Sequence, residues 1–179
     1  MSPSGIQSRS RVSPPNRWWD YAVLVLGALV VLMCIGYTVH EWPMLPKNIP
    51  THFSASGKPD QWGAKVNIIP LPILSLLMFT GSVILSRLPW MFNYPVQLTP
   101  RNTAKLYGYG RLFMSIGGVE IGSIVFALQL GIIRTSLGLQ RGLGSLYLAI
   151  IIGISILTFI VFLAAMFSGS KNTFTNPLK

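Results

Sequence analysis

Residues 21–39 read YAVLVLGALVVLMCIGYTV, an apolar run that contains no charged side chain. Three further apolar runs follow, at Val66–Ser86, Phe113–Ile133 and Leu143–Phe167. Each has close to the ~20 residues with which an α-helix crosses a hydrocarbon core. Because backbone groups in lipid must find hydrogen-bond partners within the segment, these runs should be helices. The sequence therefore predicts an all-α integral membrane protein with four transmembrane helices.

The composition agrees with a chain that is covered by lipid. Hydrophobic residues make up 51% of the 179 residues and charged residues only 10%, where soluble domains carry about 25% charged residues. The net charge is +10, and the basic residues lie at the ends of the apolar runs rather than in one stripe. This placement favours membrane lipids with anionic headgroups as partners, and no nucleic acid is expected.

The basic residues also predict an orientation. Four spans put both termini on one side, and that side would carry nine of the 14 basic residues. Because loops rich in Lys and Arg stay in the cytoplasm, both termini are expected to be cytoplasmic. The single cysteine, Cys34, cannot form an intrachain disulfide.

The connections divide the chain into segments. Loop one (residues 40–65) is rich in Pro, Gly, Trp and polar residues and is expected to be ordered, because its prolines reduce the freedom of the unfolded chain. Loop three (134–141) is short and predicts an antiparallel pair of helices. Three segments are expected. Residues 1–17 form a disordered basic tail, and residues 113–179 form a transmembrane helical hairpin with a short C-terminal tail. Between them, residues 18–115 form a membrane domain with two transmembrane helices, the ordered outer loop 40–65 and a cytoplasmic loop two over 87–112.

Two helix starts carry specific signals. Pro70 and Pro72 lie near the beginning of the second run, so this helix is expected to begin irregularly. Thr99 and Pro100 have the residue types of an N-cap and a first helical position. A helix that starts there would run along the membrane surface or straight into the third span.

Loop one resembles a known family. Residues 45–53 read LPKNIPTHF and residues 57–65 read GKPDQWGAK, and the downstream NYPV at 93–96 is also similar, with Thr99, Asn102 and Tyr107. This pattern resembles a bacterial membrane domain of unknown function that is also found at the N-terminus of SdpI-type immunity proteins. The resemblance covers roughly residues 21–115. The relatives often have acidic residues after the threonine, where this chain has Pro100 and Arg101.

The resemblance implies a small multi-pass protein of the bacterial cytoplasmic membrane, which is the inner membrane of the cell. In SdpI-type proteins the implied role is protection against a secreted toxin, coupled to capture of a repressor at the membrane. Most relatives with the shorter architecture have no assigned role, so the resemblance indicates the family better than the function.

Loop one holds the candidate binding residues. Imidazole and carboxylate groups are possible zinc ligands, which makes His52 and Asp60 weak metal candidates, together with the adjacent His40 and Glu41. The simpler interpretation is that His52 and Asp60 bond the backbone and hold the loop, because Asp60 follows a turn-forming Gly-Lys-Pro sequence. The residues assigned to a ligand site or to the structure of the loop are His52, Phe53, Asp60, Trp62 and Lys65.

Glu120 is an acidic residue inside the third apolar run. A carboxyl group in lipid is costly, so Glu120 is expected to face another helix and a polar group on it. It is either a proton or ligand site or a hydrogen-bonded group that fixes helix packing. Gly118 and Gly122 lie four residues apart and allow close helix approach. At ~100° per residue they lie opposite Glu120, so an inward Glu120 predicts an exposed glycine pair, a candidate docking groove.

Three functions remain open. No nucleophile elbow, P-loop, dinucleotide fingerprint or paired-histidine metalloprotease helix is present, so no enzyme activity, catalytic residue or cofactor is expected. The first hypothesis is a non-enzymatic sensor or immunity-type binding protein, whose partner is a peptide ligand. The second is an accessory or structural subunit of a larger complex, whose partners are other membrane proteins. The third is a small transporter that uses Glu120.

Overall fold

The computed structural model describes residue 11, residues 14–143 and residues 145–171. Within them the chain forms four α-helices and one two-stranded antiparallel sheet. In chain order these are α1 (Trp18–Glu41), β1 (Asn48–Phe53), β2 (Pro59–Ala64), α2 (Pro70–Ser86), α3 (Thr103–Ser136) and α4 (Ser145–Lys171). The parts of the predicted tails at 1–10, 12–13 and 172–179 lie outside the described residues.

Four helical segments among the described residues are long and apolar enough to cross a membrane. This confirms the predicted all-α membrane fold with four transmembrane helices. The small sheet was not expected. The spans are Trp18–Met44, Lys65–Ser86, Thr103–Ser136 and Ala149–Ser170.

The longest helix, α3, is the centre of the bundle and packs against α1, α2 and α4. On one side its glycines bring the neighbouring helices close, and a Cβ added at Gly118 would overlap Ser82 Oγ of α2. On the other side Phe113 packs against Phe162 of α4, with 5.3 Å between the ring centroids. Both faces of α3 are therefore occupied within this chain.

The helix starts show one confirmed and one wrong prediction. A 3-10 turn over Lys65–Ile68 precedes α2, so the irregular start predicted from its prolines is confirmed. Thr99 is not the N-cap of α3; Asn102 occupies that position. Asn102 Oδ1 accepts a hydrogen bond from Thr99 N at 2.7 Å, and Thr99 O accepts one from Asn102 N at 3.1 Å. This bonding closes a turn before the helix, which then runs straight into the third span.

Loop one is folded, as the sequence predicted, and its structure is a β-hairpin of β1 and β2, here called the outer hairpin. The strands of the outer hairpin lie between the last turn of α1 and the first turn of α2, and β1 contacts α3. The hairpin thus lies at the end of the bundle opposite the starts of α1 and α3.

Candidate functional site

The outer hairpin has an irregular register at its centre. Ile49 pairs with Gly63 and Pro50 with Trp62, and bulges then separate Pro50, His52 and Phe53 along β1. Bulges re-aim side chains and increase local twist. The bulged part of the hairpin is the part that carries His52 and Asp60.

A hydrophobic cluster anchors the base of the outer hairpin to the helices. Ile49 of β1 and Ile133 of α3 are buried in it, together with Leu45 and Ile68. Burying an aliphatic side chain of this size contributes about 1.5–3 kcal/mol. The base is therefore a small core of its own, which accounts for the order of loop one.

Lys65 packs against Trp42 at the base of the hairpin. Its Nζ lies 4.7 Å from the centroid of the Trp42 ring and 3.5 Å from Trp42 O. The side chain thus joins the end of β2 to the end of α1. Lys65, assigned from the sequence to a ligand site or to the loop structure, has a structural contact here.

The tip of the outer hairpin is held through the backbone by the connection from α3 to α4, which is loop three continued to Leu143. Leu143 N donates a hydrogen bond of 2.8 Å to Gly57 O. A Cβ added at Gly142 would overlap Gly57 O, and Gly142 has φ +156° and Gly57 φ +77°. Glycine is required here because two backbones approach closely in conformations that side chains disfavour.

The end of α3 places loop three for this contact. Gly138 has φ +71°, and its N–H donates to Thr135 O at 3.1 Å while Leu139 N donates to Arg134 O at 2.8 Å. These two bonds form a Schellman motif, which ends a helix on a left-handed glycine. Gln140 Nε2 then donates to Gly142 O at 2.8 Å. The hairpin tip is thus fixed to a defined loop.

The outer hairpin presents polar and aromatic side chains on its open surface. His52 Nδ1 lies 2.6 Å from Asp60 Oδ1, and these side chains are 58% and 45% exposed. Trp62 is 54% exposed, whereas Phe53 is half-buried. The sequence interpretation had His52 and Asp60 bonding the loop backbone; in the structure they bond each other across the two strands.

The geometry of His52 and Asp60 gives two possible metal ligands in one place. Among the described residues, no group of three or more His, Cys, Asp and Glu side chains is placed to hold a metal ion. His40 and Glu41 lie at the end of α1. The structure therefore brings His52 and Asp60 together without adding a third ligand from the described part of the chain.

Glu120 faces α4. Thr158 Oγ1 donates a hydrogen bond of 2.6 Å to Glu120 Oε1, and the Glu120 side chain is half-buried. The prediction that Glu120 points at a polar group on another helix is confirmed. The bond satisfies one carboxyl oxygen inside the membrane, where an unpaired polar group is costly.

Gly118 and Gly122 are buried, so the prediction of an exposed glycine docking groove is wrong. A Cβ added at Gly122 would lie 3.5 Å from Val30 Cγ1 of α1 and 3.7 Å from Ser75 Oγ of α2. Helix periodicity correctly placed the glycine pair opposite Glu120. The expected exposure of the pair is wrong because α3 is central: the glycines face α1 and α2 while Glu120 faces α4.

Arg111 forms a polar cluster that sequence reasoning missed. Its side chain is 7% exposed, and its guanidinium donates to Asp20 Oδ2 at 2.7 Å. It also donates to Pro14 O, Pro15 O and Asn16 Oδ1, at distances of 2.8 to 2.9 Å. The last residues of the expected disordered tail are therefore packed on α3. One signal was available: Asp20 in the first turn of α1, where an acidic side chain is favourable.

A second missed feature lies inside the bundle. Gln129 of α3 is fully buried and donates from Nε2 to Thr38 Oγ1 of α1. Thr38 Oγ1 in turn donates to Cys34 O at 2.7 Å. A glutamine within an apolar run is a visible sequence signal, because buried amides need partners. The partner itself cannot be identified without the packing of α1 on α3.

Loop two is also ordered, at the opposite end of the bundle from the outer hairpin. Tyr94 stacks on Tyr107, with 5.6 Å between the ring centroids, and donates from its hydroxyl to Pro89 O at 2.9 Å. A Cβ added at Gly110 would lie 2.6 Å from Tyr94 Oη. The NYPV motif at 93–96 therefore serves to seat loop two on α3.

Comparison with known proteins finds similarity for part of the chain. Residues 29–76 match the family described as Domain of unknown function (DUF1648). An uncharacterized protein of Archaeoglobus fulgidus is 29% identical over 85 residues, which cover 41% of this chain and 45% of that protein. The match thus spans less than half the length of that relative. No solved structure matches the chain.

The matched segment coincides with the site just described. It begins in α1, contains the whole outer hairpin and the 3-10 turn, and ends in the second turn of α2. What this chain has in common with the family is therefore the hairpin and the ends of the two helices that hold it.

Proposed function

We propose that the protein is a non-enzymatic membrane sensor or immunity-type binding protein whose recognition element is the outer hairpin. The observation that carries this proposal is that the hairpin is held at two places, at its base by the Ile49 cluster and at its tip by the bond from Leu143 N to Gly57 O. A simple connector between two spans needs neither of these contacts. A binding surface gains from both, because preorganisation lowers the entropy lost on binding.

The hairpin suits an extended peptide as the ligand. Within the described residues the sheet has two strands, and β2 pairs with β1 along one edge only. An exposed edge can accept a further strand through backbone hydrogen bonds. Trp62 of β2 adds an exposed apolar ring, and the His52–Asp60 pair adds polar contacts close to it. A secreted peptide is therefore the proposed partner.

The geometry of the His52–Asp60 pair supports a role other than catalysis. Both side chains lie on an open strand surface, whereas catalytic groups work in sites that exclude water. The contact also joins the two strands at the bulges, since His52 lies between the two register shifts of β1 and Asp60 lies on β2. We infer that the pair holds the twisted part of the hairpin in shape and contributes polar contacts to the ligand.

The likeness to SdpI-type immunity proteins supports the same function. It rests on the residues of loop one, which are the residues of the hairpin. In this proposal a toxin peptide binds outside, and loop two, seated on α3 by Tyr94, faces the cytoplasm and a repressor. Helix α3 joins the two ends, since its last turns contact the hairpin and its first turns hold loop two.

A growth assay tests the proposed function. A strain that lacks the gene is complemented with wild type, Trp62→Ala, His52→Ala or Trp18→Ala and exposed to toxin peptides secreted by related strains. We expect protection by wild type and by Trp18→Ala, and loss of protection for the two hairpin variants. Trp18 is a matched control because it is an exposed indole at the other end of α1.

Two results would count against the proposal. Unchanged sensitivity of the deletion strain, with no repressor held at the membrane, would remove the immunity function. Equal loss of protection in Trp18→Ala would show that the indole substitutions act through stability or insertion, not through the hairpin.

One observation favours an accessory subunit as the second candidate. Helix α4 packs on α3, but no residue in its most apolar 18-residue window is buried within the chain. A cleft of about 520 Å³ between loop two, α3 and α4 is lined largely by aromatic and aliphatic side chains. Lipid or a partner helix would cover these surfaces. Native mass measurement in mild detergent distinguishes the binding protein from the accessory subunit, because a particle of one or two copies disfavours the subunit function.

A further inference from the structure

A cleft lies at the end of the bundle where α1 and α3 begin. Its volume is about 400 Å³. The segment before α1, the first turn of α1 and the first turns of α3 form its walls, and the charged and aromatic residues among them are Arg17, Trp19, Asp20, Lys105, Tyr109 and Arg111. The cleft lies far from the outer hairpin, and the proposed function does not use it.

The charge in this cleft is positive and partly uncompensated. Asp20 is its acidic residue, and its Oδ2 already accepts hydrogen bonds from Arg111 and from Arg17 N, both at 2.7 Å. The two terminal nitrogens of the Arg111 guanidinium are occupied by the same carboxylate, by Asn16 Oδ1 and by backbone carbonyls. Arg17 and Lys105 have no acidic partner within the described part of the chain. These two side chains are therefore available to an anion.

Aromatic rings hold both cations at the cleft. Arg17 Cζ lies 4.9 Å from the centroid of the Trp19 ring, and Lys105 Nζ lies 5.8 Å from that of Tyr109. Such contacts restrain a basic side chain without neutralising it. Tryptophan and tyrosine rings favour the headgroup level of a bilayer. The result is two positive charges over an apolar wall that continues along α3 towards the lipid.

We propose that this cleft binds the phosphate-bearing headgroup of an anionic phospholipid, with Arg17 and Lys105 as its cationic contacts. The Arg17 guanidinium has the planar geometry that binds two phosphate oxygens, and the Lys105 ammonium adds a point charge. The lipid is favoured over free phosphate because Leu112 continues the lining along α3 towards the apolar part of this span, beside which acyl chains would lie. The lipid would join the start of α1 to the start of α3, beside the Asp20–Arg111 bond.

The test is a titration of the full-length protein in detergent, followed by native mass spectrometry. The added probes are dioleoyl phosphatidylglycerol, dioleoyl phosphatidylcholine and inorganic phosphate. The proteins are wild type, Arg17→Gln with Lys105→Gln, the charge-conserving Arg17→Lys with Lys105→Arg, and Lys47→Gln with Lys58→Gln. The last is a matched control, because it removes the same charge from exposed residues of loop one.

The proposal predicts tighter binding of phosphatidylglycerol than of phosphatidylcholine to wild type. Removal of both cations should weaken phosphatidylglycerol binding by about tenfold to thirtyfold, while the charge-conserving variant and the control retain it. Each single glutamine variant should give part of the effect, which keeps the test valid if the double variant is unstable. Equal weakening in the loop-one control, or equal binding of the two lipids, would overturn the proposal. If inorganic phosphate binds as tightly as phosphatidylglycerol, the cleft is a site for free phosphate and the proposal of a lipid ligand is wrong.

Discussion

At the scale of single residues, polar side chains join helices that are distant in sequence. Arg111 binds the segment before α1, Gln129 binds Thr38 of α1, and Glu120 accepts a bond from Thr158 of α4. Apolar contacts discriminate weakly between helix partners in lipid, because acyl chains are equally apolar. These hydrogen bonds therefore contribute to the choice of partner and to the register of each helix pair.

Replacement of Arg111 should destabilise the junction of α1 and α3. Arg111→Gln leaves the nearly buried Asp20 carboxylate without its charged partner, and breaking one side of a buried ion pair costs about 3–5 kcal/mol. Arg111→Lys should lie between Gln and wild type, because an ammonium lacks the planar fork. Denaturant unfolding in detergent measures the free energy, and Arg101→Gln is the exposed control. Equal stability of Arg111→Gln and Arg101→Gln would contradict the structure.

Substitutions at the Glu120–Thr158 contact distinguish a structural role of Glu120 from a role in transport. Glu120→Gln keeps an oxygen that accepts the Thr158 bond, so its stability should stay near that of wild type. Thr158→Val removes the donor and should cost about 1 kcal/mol. A flux assay in liposomes then compares wild type with Glu120→Gln. We expect equal flux, which removes the transporter hypothesis, whereas a flux lost in Glu120→Gln alone would restore it.

At the scale of elements, the outer hairpin depends on loop three for its position. The contact between them is backbone to backbone, at Gly57 and Gly142, and the Schellman motif at Gly138 sets its geometry. The two glycines therefore have different roles: Gly138 makes a left-handed turn, and Gly142 lets the backbone approach Gly57 O closely. A matched pair of substitutions separates them.

Gly142→Ala should release the hairpin tip, because its Cβ would overlap Gly57 O. Gly138→Ala carries the strain of a positive φ, about 1 kcal/mol, but its Cβ would meet open space. Hydrogen exchange of the Leu143 amide measures the contact, since this amide donates to Gly57 O. We expect much faster exchange in Gly142→Ala than in Gly138→Ala. Equal rates would show that strain alone controls the hairpin.

The elements also show what sequence can and cannot predict here. The four spans follow from apolar runs of the right length, because the bilayer sets that length. The strands of the outer hairpin have no such pattern: β1 contains Pro50, β2 contains Gly63, and bulges interrupt their register. Their order comes from contacts with α3 and loop three, residues about 80 positions away. No local signal encodes such contacts.

At the scale of the whole molecule, α3 determines how the site residues are arranged. Its last turns hold the outer hairpin, its middle carries Glu120, and its first turns bind the segment before α1. The sequence placed Glu120 towards another helix correctly, but it could not show that α3 is surrounded. For that reason the glycine pair was expected to be exposed, whereas it packs against α1 and α2.

The central claim is that four spans display a folded hairpin outside the cell, with both termini inside. Labelling of single cysteines with a membrane-impermeant maleimide on intact cells tests it most directly. Cys34→Ala provides the background, since Cys34 is the single native cysteine, and the probes are Ala55→Cys in the exposed hairpin turn, Ser4→Cys and Ser170→Cys. The account predicts labelling of Ala55→Cys in intact cells, and of Ser4→Cys and Ser170→Cys only after permeabilisation. Labelling of the two terminal positions from outside, with Ala55→Cys protected until permeabilisation, would contradict it.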